Sequence, residues 1–165
     1  MEGRGDGPVA TESRMCSTAP VTSGESTYTL ELPYRRSLGP VVGAFLTGLR
    51  DQRVLGSRTS DGRVLVPALE YDPTTGDAVD DLVEVGTAGT VTAWAWVHEP
   101  MRKHPLDHPF AWVLVRLDGA DTSIVHALDS PAEAVVTGAR VRIRWAEERR
   151  GHITDIACFE LEQGA

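Results

Sequence analysis

The feature that most constrains the fold is a series of strand-like runs in the C-terminal half of the chain. Between residues 83 and 165, short segments either alternate apolar and polar side chains or are continuously apolar, as strands of a half-buried or fully buried sheet are. These runs cover residues 90–97, 110–117, 122–128, 139–146 and 153–161. They predict five β-strands, of which the second and third are joined by a turn at Asp118-Gly119.

The segment between the third and fourth runs differs from the rest. Ser130-Pro131-Ala132-Glu133 has the spacing of a capping box, with Pro at the first helical position, and predicts a short helix. Three strands, a short helix and two strands is the order of an OB-fold, a small five-stranded Greek-key barrel. We therefore predict a mainly β protein with an OB-fold over residues 83–165, in preference to a sandwich or an open sheet.

The N-terminal half divides into three parts. Residues 1–26 are mostly small, polar or charged and bury too little surface to offset their ordering entropy, which predicts a disordered tail containing Cys16. Residues 27–53 predict a short extended piece, around Tyr28 to Leu32, followed by a helix that begins at Pro40. Residues 54–82 predict a hairpin with its turn at Asp61-Gly62.

The predicted helix carries one apolar stripe. Val41, Phe45 and Leu49 recur at helical spacing, so they share a face that must be buried. That face packs either on the body of the domain or on another protein, and we interpret it as a partner-docking helix.

Charge limits the classes of ligand. The 16 Lys and Arg residues against 24 Asp and Glu give a net charge of −8, which argues against nucleic acid and anionic membranes as partners. The sequence contains no apolar run long enough to predict a membrane-spanning helix and no export signal, so we expect a cytoplasmic protein. Its two cysteines, Cys16 and Cys158, do not predict a disulfide framework.

Several short motifs, in order, resemble one family. They lie at residues 45–50, 61–67, 84–86, 89–91, 98–100, 109–111 and 138–142. From Ala44 to the C-terminus, the chain resembles the acyl-CoA-associated OB-fold family called domain of unknown function 35. The resemblance implies a helix, a rubredoxin-like zinc ribbon and an OB barrel, in that order.

The ribbon departs from the family pattern. Its members present two Cys-x-x-Cys knuckles, whose four thiolates bind zinc. The corresponding positions here are Arg58, Asp61, Asp72 and Thr75, none of which is Cys or His. We therefore predict a ribbon that has lost its zinc, with no metal and no other cofactor in the chain except a coenzyme A thioester as a possible ligand.

The resemblance also implies a partner. Family members resemble accessory subunits of thiolase-like acyl-CoA enzymes, and residues 103–112 resemble the branch that serves steroid side-chain aldolases. The implied role is a non-catalytic subunit of a hetero-oligomer, in which a thiolase-like aldolase subunit holds the catalytic residues.

Three groups of residues are candidates for contact with the partner or coenzyme A. The first is the proline-flanked loop of residues 99–109, which bears Lys103, His104, Asp107 and His108. The others are a stripe of three arginines with period-two spacing and a pair of tryptophans on one strand: Arg140, Arg142, Arg144, Trp94 and Trp96. The simpler interpretations are a solvated loop and a solvent-facing strand. For the tryptophans, both faces of the strand require burial, which favours an interface.

Two other functions stay open from the sequence. The first is a stand-alone acyl-CoA enzyme of the hydratase or thioesterase type, with His104, Asp107 or His108 as general base. The second is an OB-type nucleic-acid binder that stacks bases on its tryptophans, which the acidic charge disfavours.

Overall fold

The computed structural model describes residues 37–162. The predicted tail of residues 1–26, the extended piece at Tyr28–Leu32 and Cys16 lie outside these residues. Within them the chain forms one α-helix, a small three-stranded sheet and a closed five-stranded barrel. No helix in the described part is long and apolar enough to cross a membrane.

Helix α1 spans Pro40–Arg50. Gly39 is its N-cap and Pro40 its first residue, where the missing N–H costs no hydrogen bond. Val41, Phe45 and Leu49 are at most 6% exposed and belong to the main core cluster, which also includes Val54 of the small sheet and Ile156 of the barrel. The interpretation of this stripe as a partner-docking surface is therefore corrected, because its side chains are already buried within the chain.

The small sheet contains β1 (Val54–Arg58), β2 (Val64–Leu65) and β3 (Leu82–Val85), in the order β2-β1-β3. The hairpin between β1 and β2 matches the prediction from Asp61-Gly62, and Gly62 has a φ of 86°, which suits glycine. Residues 83–85 pair with β1. Strand β3 therefore completes the small sheet, and the strands of the barrel follow from Ala88.

The barrel is built from β4 (Ala88–Val97), β5 (Phe110–Leu117), β6 (Ile124–Asp129), β7 (Arg140–Trp145) and β8 (Ile156–Leu161). Its strand order is β4-β5-β6-β8-β7, and β4 pairs with β7 to close it. Strands β6 and β8 are parallel, whereas the other neighbours are antiparallel. The predicted five-stranded OB-like barrel is confirmed.

The helix between β6 and β7 is smaller than predicted. It is a single 3₁₀ turn at Ala132–Ala134 with no side-chain cap, so the predicted capping box at Ser130 does not form. The structure has a capping box instead at a second 3₁₀ turn, Ile153–Asp155, where the side chain of His152 accepts the N–H of Thr154. Both turns connect strands of the barrel.

Four hydrogen bonds attach the small sheet to the barrel. The Asp121 side chain accepts the N–H of Val64 at 2.8 Å, and the Asp121 N–H donates to the Val64 carbonyl at the same distance. The hydroxyl of Thr122 both accepts the Val66 N–H and donates to the Val66 carbonyl. The turn between β5 and β6 therefore covers the edge of β2, which would otherwise be open to strand pairing.

Candidate partner interface on the outer face of the barrel

An apolar row crosses three strands on the outside of the barrel. Ala93 of β4 lies opposite Leu114 of β5, which in turn lies opposite Val125 of β6. Val113 and Val115 are buried in the core, and because successive side chains of a strand point to opposite faces, Leu114 lies on the outer face. The paired residues Ala93 and Val125 share that face with it.

This row forms the floor of a shallow groove. We define the apolar groove by Ala93, Trp94, Ala95, Trp112, Leu114 and Val125. Trp94 is 44% exposed, Leu114 40% and Val125 58%. Large apolar side chains exposed side by side are typical of protein–protein interfaces, whereas isolated ones are ordinary on any surface.

A β-bulge interrupts β4 ahead of its two tryptophans. The register shifts between Val91 and Ala93, so Val91 is buried while Ala93 is exposed. These two residues lie on different faces although they are two positions apart, because the extra residue of a bulge reverses the alternation beyond it. Trp96 is half-buried against the main core, and only Trp94 contributes to the apolar groove.

The loop between β4 and β5 covers the continuation of the groove. Phe110 and Trp112 are on the same face of β5 as Leu114, since they alternate with the buried Ala111 and Val113. Phe110, Ala127 and Cys158 form a fully buried second cluster, against which Trp112 and the loop residue Leu106 pack. On the outer face of the barrel, apolar side chains are thus exposed in the apolar groove and covered by the loop at the second cluster.

The predicted loop residues have different environments. The His104 ring packs edge-on against Phe110 and Trp112, at centroid distances of 5.5 and 5.9 Å, and its Nδ1 accepts the N–H of Met101. Lys103 is exposed. His104 is therefore a packing residue of the second cluster.

His108 bridges two carboxylates. Its Nδ1 lies 3.1 Å from Asp107 Oδ1 in the same loop, and its Nε2 lies 3.0 Å from Asp129 Oδ1 at the end of β6. Hydrogen bonds to Asp129 and then to Asp107 raise the pKa of His108 above its ordinary value. Arg144 of β7 holds the other oxygen of Asp129 at 2.8 Å.

This arrangement does not favour the stand-alone enzyme. A general base needs an unprotonated nitrogen near substrate, but both ring nitrogens of His108 face carboxylates that stabilise the imidazolium. The Nδ1 of His104 is occupied as the acceptor of the Met101 N–H. Asp107, the third predicted base, is bound to His108.

The three arginines of β7 are all paired within the chain. Arg140 donates two parallel hydrogen bonds of 2.7 Å to Asp118 and a third to Glu162, which together raise the pKa of its guanidinium. Arg142 binds Glu160 at 2.7 Å, and Arg144 binds Asp129. The structure therefore fits the simpler interpretation of this stripe, a solvent-facing strand whose charges are balanced.

The residues at the former zinc positions do not fit a zinc ion. Arg58 is a cation paired with Asp81, and the carboxylate of Asp61 binds the Thr59 hydroxyl and Arg63, which lower its pKa to about 2. Asp72 is buried and accepts the N–H groups of Thr74 and Thr75. Among the described residues, no three His, Cys, Asp or Glu side chains are placed to hold a metal.

Cys158 and His126 are buried titratable residues outside these candidates. Cys158 is fully buried, and desolvation raises the pKa of its thiol to about 11, which makes it unreactive in the folded chain. His126 of β6 is 8% exposed, and burial lowers its pKa. Neither residue faces the groove.

Comparison with known proteins identifies the barrel. Residues 82–146 match the family described as "ChsH2, C-terminal OB-fold domain". This part of the chain is therefore similar to the ChsH2 OB-fold domain. The match begins at β3 and ends just after β7, so it includes the apolar groove and the covering loop but not β8.

Two solved structures have a similar fold. One is the crystal structure of a DUF35 family protein of unknown function from Sulfolobus solfataricus, with 20% identity and a TM-score of 0.57 over 75% of this chain and 87% of the other. The other is described as "Ltp2-ChsH2(DUF35) aldolase", with 19% identity and a TM-score of 0.57 over 77% and 98% of the two chains. No curated protein matches the sequence.

Proposed function

We propose that this chain is a non-catalytic accessory subunit that binds and stabilises a thiolase-like acyl-CoA aldolase, in the degradation of steroid side chains. The observation that carries the proposal is the match of the barrel to the ChsH2 OB-fold domain. A chain of the same fold is found in a structure described as an Ltp2-ChsH2(DUF35) aldolase, which supports a complex of the same kind here.

The surface chemistry supports a binding role. The apolar groove offers Trp94, Leu114 and Val125 to a partner without any conformational change. The histidines of the loop and the arginines of β7 are occupied by groups of this chain, so these side chains are not free to react with a substrate. In this proposal, carbon–carbon bond cleavage takes place on the partner subunit.

The proposal extends to the small sheet. We propose that β1, β2 and β3 correspond to the zinc ribbon of the family and have exchanged the metal for hydrogen bonds. Asp72 accepts a hydrogen bond from Ser60 in the first turn, and Arg63 donates to Thr74 in the second. These two bonds connect the same two turns that a zinc ion would connect.

Co-expression tests the function directly. A thiolase-like protein from the same source is produced with and without this chain, and soluble yield, co-elution in size exclusion and cleavage of a steroid-derived β-hydroxyacyl-CoA are measured. We expect a stable complex and a higher yield of active aldolase in the presence of the chain. If the thiolase-like protein is equally soluble and active alone, and does not bind the chain, the proposal is wrong.

A further inference from the structure

The loop between β4 and β5 is fastened to the barrel at one charged contact. His108 belongs to the loop, whereas Asp129 closes strand β6, and their side chains meet at 3.0 Å although they are 21 residues apart. Near the other end of the loop segment, Met101 and His104 bond only to each other. His108 is therefore a tether between the loop and the barrel wall.

The strength of the tether depends on whether the His108 imidazole carries one proton or two. Carboxylates only accept hydrogen bonds, and an imidazolium has two N–H donors while a neutral imidazole has one. With carboxylates at both ring nitrogens, the neutral ring leaves one nitrogen lone pair facing an anionic oxygen. Arg144 of β7 holds the Asp129 carboxylate in place at 2.8 Å, and Glu160 of β8 lies 3.9 Å from the other side of the same guanidinium.

We propose that His108 is a pH-sensitive latch that, when protonated, holds the β4–β5 loop over the second cluster and, when neutral, lets the loop open. Leu106 and His104 are the loop side chains that cover Phe110 and Trp112. Opening of the loop extends the apolar groove from Trp112 toward Phe110. The latch concerns this chain alone, and its failure would leave the proposed function unaffected.

Cys158 reports on the opening of the loop. It lies in the second cluster and is completely buried, so a thiol reagent reaches it only when the cover moves. In the full chain with Cys16→Ser, Cys158 is the only remaining cysteine. Its reaction with 4,4′-dithiodipyridine is followed by absorbance between pH 5 and pH 9, and thermal unfolding checks that each variant is folded.

Dividing the reaction rate of a variant by that of the parent at the same pH cancels the effect of the titration of the Cys158 thiol, which is common to both. At pH 5 we expect His108→Gln to react about two- to five-fold faster than the parent, the range expected for loss of an exposed ion pair. At pH 9 we expect the two rates to be equal, since the parent imidazole is then neutral. Asp107→Asn is the matched control at pH 5, because it removes a carboxylate but keeps the contact of His108 with Asp129, and its ratio to the parent stays near one there.

Two results would overturn the latch. One is a ratio of His108→Gln to parent that does not change between pH 5 and pH 9. The other comes from Leu106→Ala, which removes a loop side chain that packs on the second cluster. This variant must react faster than the parent at Cys158 at every pH. If it does not, the loop does not control access to the second cluster.

Discussion

At the scale of single residues, Asp155 shows how one buried carboxylate organises a loop. It is 1% exposed and accepts the backbone N–H groups of Arg150, Gly151 and His152 at 2.7–3.1 Å. Burial alone would raise the pKa of Asp155, but the three donors outweigh it and hold the pKa below its ordinary value. The loop that they fix lies against helix α1, where Arg149 donates to the Arg50 carbonyl.

We predict that Asp155→Ala lowers the free energy of unfolding by about 1–3 kcal/mol, because three backbone N–H groups lose their shared acceptor. Since the folded pKa is depressed, this stabilisation is present above the unfolded pKa of about 4 and is lost as the pH falls through the folded pKa. Urea unfolding at pH 7 and pH 3 measures both effects. The exposed Glu148→Gln should change stability by less than about 0.5 kcal/mol, and an equal loss in both variants would contradict the argument.

His126 is expected to lower the free energy of unfolding as the solution becomes acidic. Its folded pKa lies below its ordinary value because burial disfavours the imidazolium, so the unfolded chain takes up a proton first as the pH falls below about 6.5. We predict that His126→Phe, which cannot titrate, loses less stability than the parent between pH 7 and pH 5. Urea unfolding at the two pH values gives the comparison, and parallel losses would show that His126 is not the group responsible.

At the scale of elements, helix α1 is part of the core. We predict that Phe45→Ala lowers the free energy of unfolding by about 3–5 kcal/mol, because the ring is 4% exposed among core side chains. Thr47→Ala, on the exposed side of the same helix, is the matched control and should be nearly neutral. Chemical denaturation measures both variants. Equal, small effects would mean that the stripe is not a core face and would restore its interpretation as a docking surface.

The small sheet is expected to need no metal. We predict that EDTA leaves the midpoint of thermal unfolding of the protein unchanged. Asp72→Ala should lower that midpoint by several degrees, because the N–H groups of Thr74 and Thr75 lose their shared acceptor. Asp77→Ala is the matched control, since the exposed Asp77 contributes its backbone to the same turn. A midpoint that falls with EDTA, or one mole of zinc per chain by elemental analysis, would contradict this prediction.

The elements themselves were largely predictable from the sequence. Alternating and continuous apolar runs located all five barrel strands within a few residues, because burial of one or both faces imposes those patterns directly. Two features were not predictable. The bulge after Val91 depends on the register with β5, and the third strand of the small sheet depends on pairing of Val83 with Gly56, far away in the chain. Neither leaves a local pattern.

At the scale of the whole molecule, the candidate site was only partly predictable. The sequence indicated that β4 has too many apolar side chains for a solvent-facing strand, and Trp94 lies in the apolar groove. Leu114 and Val125 were not singled out, although their positions in alternating strands could have suggested an outer row once the barrel was assumed. The pairing of His108 with Asp129 and of Arg140 with Asp118 joins separate strands and loops, which no local spacing encodes.

The apolar groove leads to the last prediction, which separates binding from stability. Leu114→Glu and Val125→Glu place charges on an outer face that is already open to water, so the free energy of unfolding should change little. In complex with a thiolase-like partner, the same charges would be buried without a counter-ion, and we expect each variant to weaken the affinity at least about tenfold.

Val136→Glu supplies the control for that prediction. Val136 is 54% exposed, similar to Val125, but it lies in the connection between β6 and β7 and not in the groove. The same charge there should leave the affinity unchanged if the groove is the interface. Titration calorimetry on the purified pair measures all three variants. If the two groove variants bind as tightly as the parent, or if Val136→Glu weakens binding equally, the partner occupies a different surface of the barrel.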